Sequence, residues 1–247
     1  MSHDSTDMVR TRRSVVWAEP TSECLLKPAG QRRDLAESGR SLSGTRGVVG
    51  IERQHRKRCL FKYDGYRCLV RRDAETVELV SRNGKLLNGS FPDVVEAVRQ
   101  VPGEFVWDSE LTVDERTGHS DFERLQQRAR TRVPLRVRAA ARENPARLYV
   151  FDMLASGRRN LRTLPLDTRK RHLRDSFENT AALVYTSGIV GAGEWVWEQV
   201  IAHGFEGMVA KRLASSYQGR RSPDWLKVKN PNYGRPAALG WGRSSSP

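Results

Sequence analysis

Lys62 stands at the end of the β-prone run Leu60-Phe61, and the stretch continues through Tyr63-Asp64-Gly65-Tyr66-Arg67 into a second apolar run, Cys68-Leu69-Val70. An ammonium at the end of an apolar strand is costly to desolvate unless it is paired or deprotonated, and a lysine nucleophile exploits that cost. A lysine that only snorkels from a strand end is the plainer alternative, and Lys-x-Asp-Gly alone does not exclude it. Other charges recur at the ends of apolar runs. Asp108 and Glu110 flank Ser109 after Phe105-Val106-Trp107, Glu206 opens a run that ends in Lys211-Arg212, and Lys227 and Lys229 alternate with apolar residues after Trp225. Each is expensive to bury without a ligand, and several in one chain are much harder to dismiss than one.

The elements that must position these residues follow from periodicity and turn chemistry. Asp64-Gly65 signals a tight turn, so the runs on either side of it read as two strands. Residues 77–80 alternate as a third strand ending at Ser81-Arg82-Asn83-Gly84-Lys85, where Asn-Gly marks another turn, and the three strands read as an antiparallel meander. Residues 91–98 have helical spacing with Pro92 near the start, where its missing N–H costs nothing. Residues 104–107 read as a strand carrying the two carboxylates at its end, continued by residues 111–113. Ser120 and Glu123 form a capping box for a helix through about residue 129. Residues 148–154 read as a buried strand interrupted by Asp152, residues 165–177 as a basic helix, and residues 194–203 as an amphipathic helix stopped by Gly204. In residues 225–229, period two places Trp225 and both lysines on one face.

The formal charge of +14 and pI near 10.3 over 247 residues favour a polyanionic partner such as nucleic acid. Residues 124–147 are dense in arginine and read equally well as a solvated face or as a nucleic-acid-facing surface. Cys24, Cys59 and Cys68 share no metal-binding or disulfide spacing, which fits a reducing cytosol. The charged N-terminus lacks a signal-peptide core and no run approaches the length of a membrane span, so a soluble cytoplasmic, nucleoid-associated protein is expected. Residues 1–48 read as a flexible arm, 49–231 as the folded domain and 232–247 as a tail.

The ordered set Lys62-Tyr63-Asp64-Gly65-Tyr66-Arg67, Ser81 to Lys85, Asp108-Ser109-Glu110, Tyr149-Val150-Phe151-Asp152, Glu206 to Lys211 and Trp225 to Lys229 resembles the motifs of ATP-dependent DNA ligases. The nearest resemblance is to the ligase domain of the bacterial end-joining ligase D group, which also carries a stretch like Phe122 to Arg128. The resemblance implies an α+β, ATP-grasp-like nucleotidyltransferase adenylation domain, with two antiparallel sheets, flanking helices and nucleotide between them. It implies that Lys62 attacks the α-phosphorus of ATP to form a lysine-AMP phosphoramidate, a step that needs the amine neutral. It further implies that Arg67 and Glu110 hold the ribose, Phe151 stacks on adenine, and Lys227 and Lys229 neutralise the α-phosphate. Glu206, with Glu110, would take Mg²⁺ or Mn²⁺, and Arg82 and Lys211 would also face the nucleotide. Taken residue by residue, Phe151 as plain core and Asp108 as an ordinary strand-end carboxylate remain open.

Three departures from the family pattern bear on function. Ser109 replaces a glycine, Leu60 stands where end-joining ligases often carry a glutamate that reads the adenine amine, and only a short tail follows Lys229 where the family has an oligonucleotide-binding barrel. The expected activity is ATP-dependent joining of DNA strand breaks in repair or recombination, with nicked or broken DNA as partner and a separate protein supplying the barrel. Without the barrel, slow self-adenylation and better sealing of pre-adenylated nicks are expected. The alternatives are an RNA ligase or capping-type nucleotidyltransferase, and a catalytically weak DNA-end-binding module.

Overall fold

The computed structural model describes residues 56–219 and 222–234, so the expected N-terminal arm and most of the expected tail lie outside the described residues. Two sheets carry the structure. The first contains β1 (Lys57–Lys62), β8 (Ile189–Val190), β9 (Gly207–Arg212) and β10 (Trp225–Lys229) in the order β10-β9-β1-β8, with every pairing antiparallel. The second contains β2 (Tyr66–Arg72), β3 (Val77–Ser81), β4 (Phe105–Val113), β5 (Ala146–Ser156) and β6 (Arg159–Asn160) in the order β3-β2-β4-β5-β6. A short strand, β7 (Leu183–Tyr185), pairs with β5 in parallel, the one departure from the antiparallel expectation among these ladders.

The meander reading fails at its first link. β2 and β3 do form a hairpin, but β1 belongs to the other sheet, so Tyr63-Asp64-Gly65 crosses between sheets instead of reversing a hairpin. Gly65 is needed there for closeness: a Cβ would lie 2.4 Å from the Leu111 carbonyl oxygen and 2.8 Å from Glu110 Cγ. The glycine thus presses the crossing chain against β4 and sets Lys62 beside the second sheet.

Helices cover the outer faces. α1 (Pro92–Arg99), with Pro92 in its first turn, buries Val94, Val95 and Val98 in the larger core with Trp107, Leu111, Leu148 and Val150. α2 (Phe122–Arg130) adds Leu125, and its N-cap is Asp121, which accepts from the Arg124 amide at 2.9 Å, not Ser120 as the capping-box spacing suggests. Ser120 is diverted because it bridges to Asp114 and donates to that carboxylate. α3 (Pro134–Glu143) follows, and α4 (Leu166–Arg174) packs on β5. α5 (Gly193–Ala202) lays Val196 and Val200 on Cys59, Phe61, Met208 and Ala210 of the first sheet, in a smaller core that reaches Tyr149 and Val184. No described helix is long and apolar enough to cross a membrane.

Candidate active site

β1, β9 and β10 bring three of the singled-out charges to one end of the first sheet. The register aligns Lys62 with Gly207 and Gly207 with Lys229, and Glu206 immediately precedes that row. The Lys62 ammonium donates to Glu206 Oε2, and Glu206 Oε1 lies 4.0 Å from Lys229 Nζ. Lys62 is 6% exposed, whereas the Lys229 side chain is 69% exposed, so one lysine is held and the other reaches outward. Lys227, opposite Val209, lies on the same face of β10 two residues deeper.

Facing this row, the second sheet offers Arg67 and Glu110, directly opposed on β2 and β4. Arg67 donates through two nitrogens to the Asp108 carboxylate, and Tyr217 donates to Asp108 Oδ2 at 2.9 Å. Burial works against the Arg67 charge, but Asp108 outweighs it and pushes the guanidinium pKa up. Asp108 is therefore the partner that locks the arginine, and it sits within β4, not at a strand end. Glu110 has no such partner. Its Oε2 is buried without a hydrogen bond among the described residues, and desolvation holds its pKa well above the carboxylate range despite Lys62 and Arg67 nearby. A buried carboxyl kept from its charged form suits a hydroxyl of a ligand better than a hydrated ion.

Between the two sheets, Phe151 is fully buried, with Arg67 Cζ 5.0 Å and Lys211 Nζ 4.3 Å from its ring centroid. Lys211 is also fully buried. Its ammonium lies 3.9 Å from the Trp225 ring, has no hydrogen-bond partner among the described residues, and is pulled down to about 7 by burial against the opposing pull of Asp152 and Asp108. Lys211 is four residues along β9 from Gly207, about 13 Å at strand rise, so it lies at the end of the first sheet away from Lys62.

Arg82 is not gathered into this cluster: it sits in the exposed Asn83-Gly84 turn after β3, an edge strand. Conversely, residues not singled out from the sequence turn out to be buried beside the site. Arg169 donates to both Asp152 oxygens at 2.8 and 2.9 Å with both residues fully buried, and breaking such a pair from one side costs about 3–5 kcal/mol. Lys170 donates to the carbonyls of Phe151 and Thr186, and burial pulls it well below the lysine range. A signal for both was present. Leu166, Arg169, Lys170 and Leu173 follow the i, i+3, i+4, i+7 spacing, so the two cations fall on the apolar stripe of α4. Among the described residues no group of three or more His, Cys, Asp or Glu side chains is placed to hold a metal ion, and Glu206 is the hard oxygen donor beside Lys62 that would take a divalent cation.

Residues 46–229 match the family model described as the ATP dependent DNA ligase domain, which is more than half of the chain. The chain belongs to the ATP-dependent DNA ligase family. It is 32% identical over 188 residues to the bifunctional non-homologous end joining protein LigD of Bacillus subtilis, covering 68% of this chain and 30% of that protein. It is 34% identical over 188 residues to DNA ligase C1 of Mycolicibacterium smegmatis, covering 73% and 53%. Among solved structures it resembles mycobacterial DNA ligase D complexed with ATP and MES, with a TM-score of 0.58, 28% identity, and 70% and 54% of the two chains covered. The fold is thus that of the family's nucleotidyltransferase domain, and the chain spans about a third to a half of the length of these curated relatives.

Proposed function

We propose that this chain is the adenylation domain of a cytoplasmic ATP-dependent DNA ligase that joins strand breaks in repair. The observation that carries this is the buried Lys62–Glu206 pair facing Arg67 and Glu110 across the sheets, in a chain of this family. Lys62 attacks the α-phosphorus of ATP: an N–P bond forms, the bond to the bridging oxygen breaks and pyrophosphate leaves. Glu206 Oε2 holds the amine and takes its proton, so that the lone pair points at phosphorus. Arg67, fixed by Asp108 and Tyr217, and Glu110 take the ribose; Phe151 and Lys211 line the base end. Because Phe151 is covered by Lys211 and Arg67, stacking a base on it requires one of those side chains to give way. Glu206 would hold Mg²⁺ or Mn²⁺, which would supply charge neutralisation at the phosphates. The test is incubation with α-labelled ATP and Mg²⁺, then denaturing electrophoresis. Acid-labile label on the protein supports the proposal, its absence overturns it, and label from GTP in preference to ATP favours a capping-type enzyme.

Lys227 and Lys229 lie on the face of β10 that carries the charge row. We expect Lys227→Ala and Lys229→Ala each to slow labelling about a hundredfold, the scale of removing one donor that stabilises developing charge. Single-turnover labelling at saturating ATP measures it, and wild-type rates in both variants would detach this strand from the phosphate.

The basic surface resolves into two kinds of arginine. Arg128 is buried, paired with both Asp93 oxygens at 2.7 and 2.9 Å and lying over the Phe91 ring, so it holds α2 to α1. Arg130, Arg132 and Arg136 are exposed at the end of α2 and the start of α3. Neutralising these three together is expected to flatten the dependence of log DNA affinity on log salt by about one unit for each arginine that contacts phosphate. A slope equal to that of the wild type would make this a merely solvated face.

A further inference from the structure

Thr186 is fully buried, and its Oγ1 has no hydrogen-bond partner among the described residues. Buried hydroxyls are nearly always satisfied, so an orphaned one calls for an explanation. Its place in the fold supplies one. The parallel ladder pairs Leu148 with Leu183, Tyr149 with Val184 and Val150 with Tyr185, and Thr186 follows directly, one residue past the end of β7. The Thr186 amide donates to the Val150 carbonyl at 2.9 Å, the bond that completes the Val150–Tyr185 pair, and the Lys170 ammonium bridges the carbonyls of Phe151 and Thr186. Side chains alternate along a strand and Tyr149 and Val184 share the smaller core, so Phe151 and Thr186, each two residues on, fall on that same face. Two residues on, Gly188 at φ +65° brings the same segment against β1, where a Cβ would lie 2.8 Å from both the Cys59 carbonyl oxygen and Leu60 Cγ. Leu60 is apolar, so it offers the base no hydrogen bond. The orphaned hydroxyl thus lies on the face that carries the ring assigned to the base, two residues before the close approach of Gly188 to the strand that ends in Lys62.

We propose that Thr186 is a specificity-determining residue: its hydroxyl hydrogen-bonds the 6-position of the purine of the bound nucleotide. This rests on the nucleotidyltransferase reading of the cleft. A hydroxyl accepts from the amine of adenine and donates to the carbonyl oxygen of guanine equally well. Thr186 therefore senses that a 6-substituent is present and discriminates only weakly between the two. Lys170 acts through it as a positioning residue, because its bond to the Thr186 carbonyl holds the segment in register.

The experiment compares self-adenylation of the full chain with ATP, GTP and purine riboside triphosphate, which lacks a 6-substituent, in the wild type, Thr186→Val and Thr186→Ser. Equilibrium binding of AMP and purine riboside monophosphate is measured alongside. Valine keeps the shape and removes the hydroxyl; serine keeps the hydroxyl. The wild type should prefer ATP to the 6-unsubstituted analogue about tenfold, the scale of one neutral hydrogen bond, with ATP and GTP within a few fold of each other. Thr186→Val should lose that preference by slowing with ATP while its use of the analogue stays unchanged, and Thr186→Ser should restore it. A Thr186→Val variant that keeps the tenfold preference, or that loses ATP and analogue equally, overturns the proposal, the second result marking a purely structural threonine. If the wild type binds AMP tightly but does not label, the transfer chemistry fails while the preference in binding still decides for or against Thr186. If it binds neither nucleotide, both readings fall.

Discussion

Lys62→Ala is expected to leave the fold intact and to abolish transfer of AMP to the protein. The ammonium donates to Glu206 and the residue belongs to neither hydrophobic core, so alanine removes little apolar packing. It also relieves the site of a buried cation while leaving Glu206, 12% exposed, within 4.0 Å of Lys229 as an alternative partner. The effect on stability should therefore stay within about 1 kcal/mol. The effect on chemistry should be total, because no other amine among the described residues holds that position: Lys229 is largely exposed two strands over, and Lys211 lies about 13 Å along β9. Labelling with α-labelled ATP and thermal unfolding are measured on the same preparation. Label retained at the wild-type level would move the nucleophile elsewhere, and loss of label together with a collapsed melting transition would leave Lys62 a structural residue.

How far the sequence carried this reading differs between the site and the fold. The charged residues beside apolar runs were legible because burial without a ligand is costly: Lys62 meets Glu206, Arg67 and Glu110 stand opposite each other on β2 and β4, and Lys211 is buried about 13 Å along β9. The topology was less legible. Asp64-Gly65 has the composition of a hairpin turn, yet the glycine serves close contact with β4, and only tertiary packing distinguishes the two uses. The short strands β6, β7 and β8 are too brief to show periodicity, and β7 owes its place to pairing with β5. Ser120 satisfies the capping-box spacing, but Asp114 competes for its hydroxyl and Asp121 takes the cap. In α4 the high charge masked the stripe: Arg169 and Lys170 looked like solvated cations because their partners, Asp152 and two backbone carbonyls, come from distant parts of the chain.

The same contrast between cost and use makes Lys211→Met the most informative stability variant. In the folded chain the Lys211 amine titrates near 7, against an ordinary value of 10.5 when unfolded. Between those limits the unfolded chain holds the extra proton, so the contribution of this residue to stability rises as pH increases from about 7 to 10.5, and below 7 the full cost of a buried charge is present. Contacts with the Phe151 and Trp225 rings offset part of that cost, about 1–2 kcal/mol, but a shift of this size outweighs them. Methionine keeps the length and apolar stem of lysine and removes the charge. The variant should therefore be more stable than wild type by about 2–4 kcal/mol at pH 7, a rise in melting temperature of about 5–10 °C, with the gain fading toward pH 10. Because Lys211 lines the base end of the cleft, labelling by ATP should fall about tenfold or more in the more stable protein, the trade expected where a strained charge is kept for ligand binding. Thermal unfolding across pH 6–10, with labelling rates at each pH, measures both. A variant no more stable than wild type at pH 7 would mean the ammonium is solvated or paired after all. One that is stabilised yet labels normally would return Lys211 to the role of a buried structural cation and remove it from the nucleotide site.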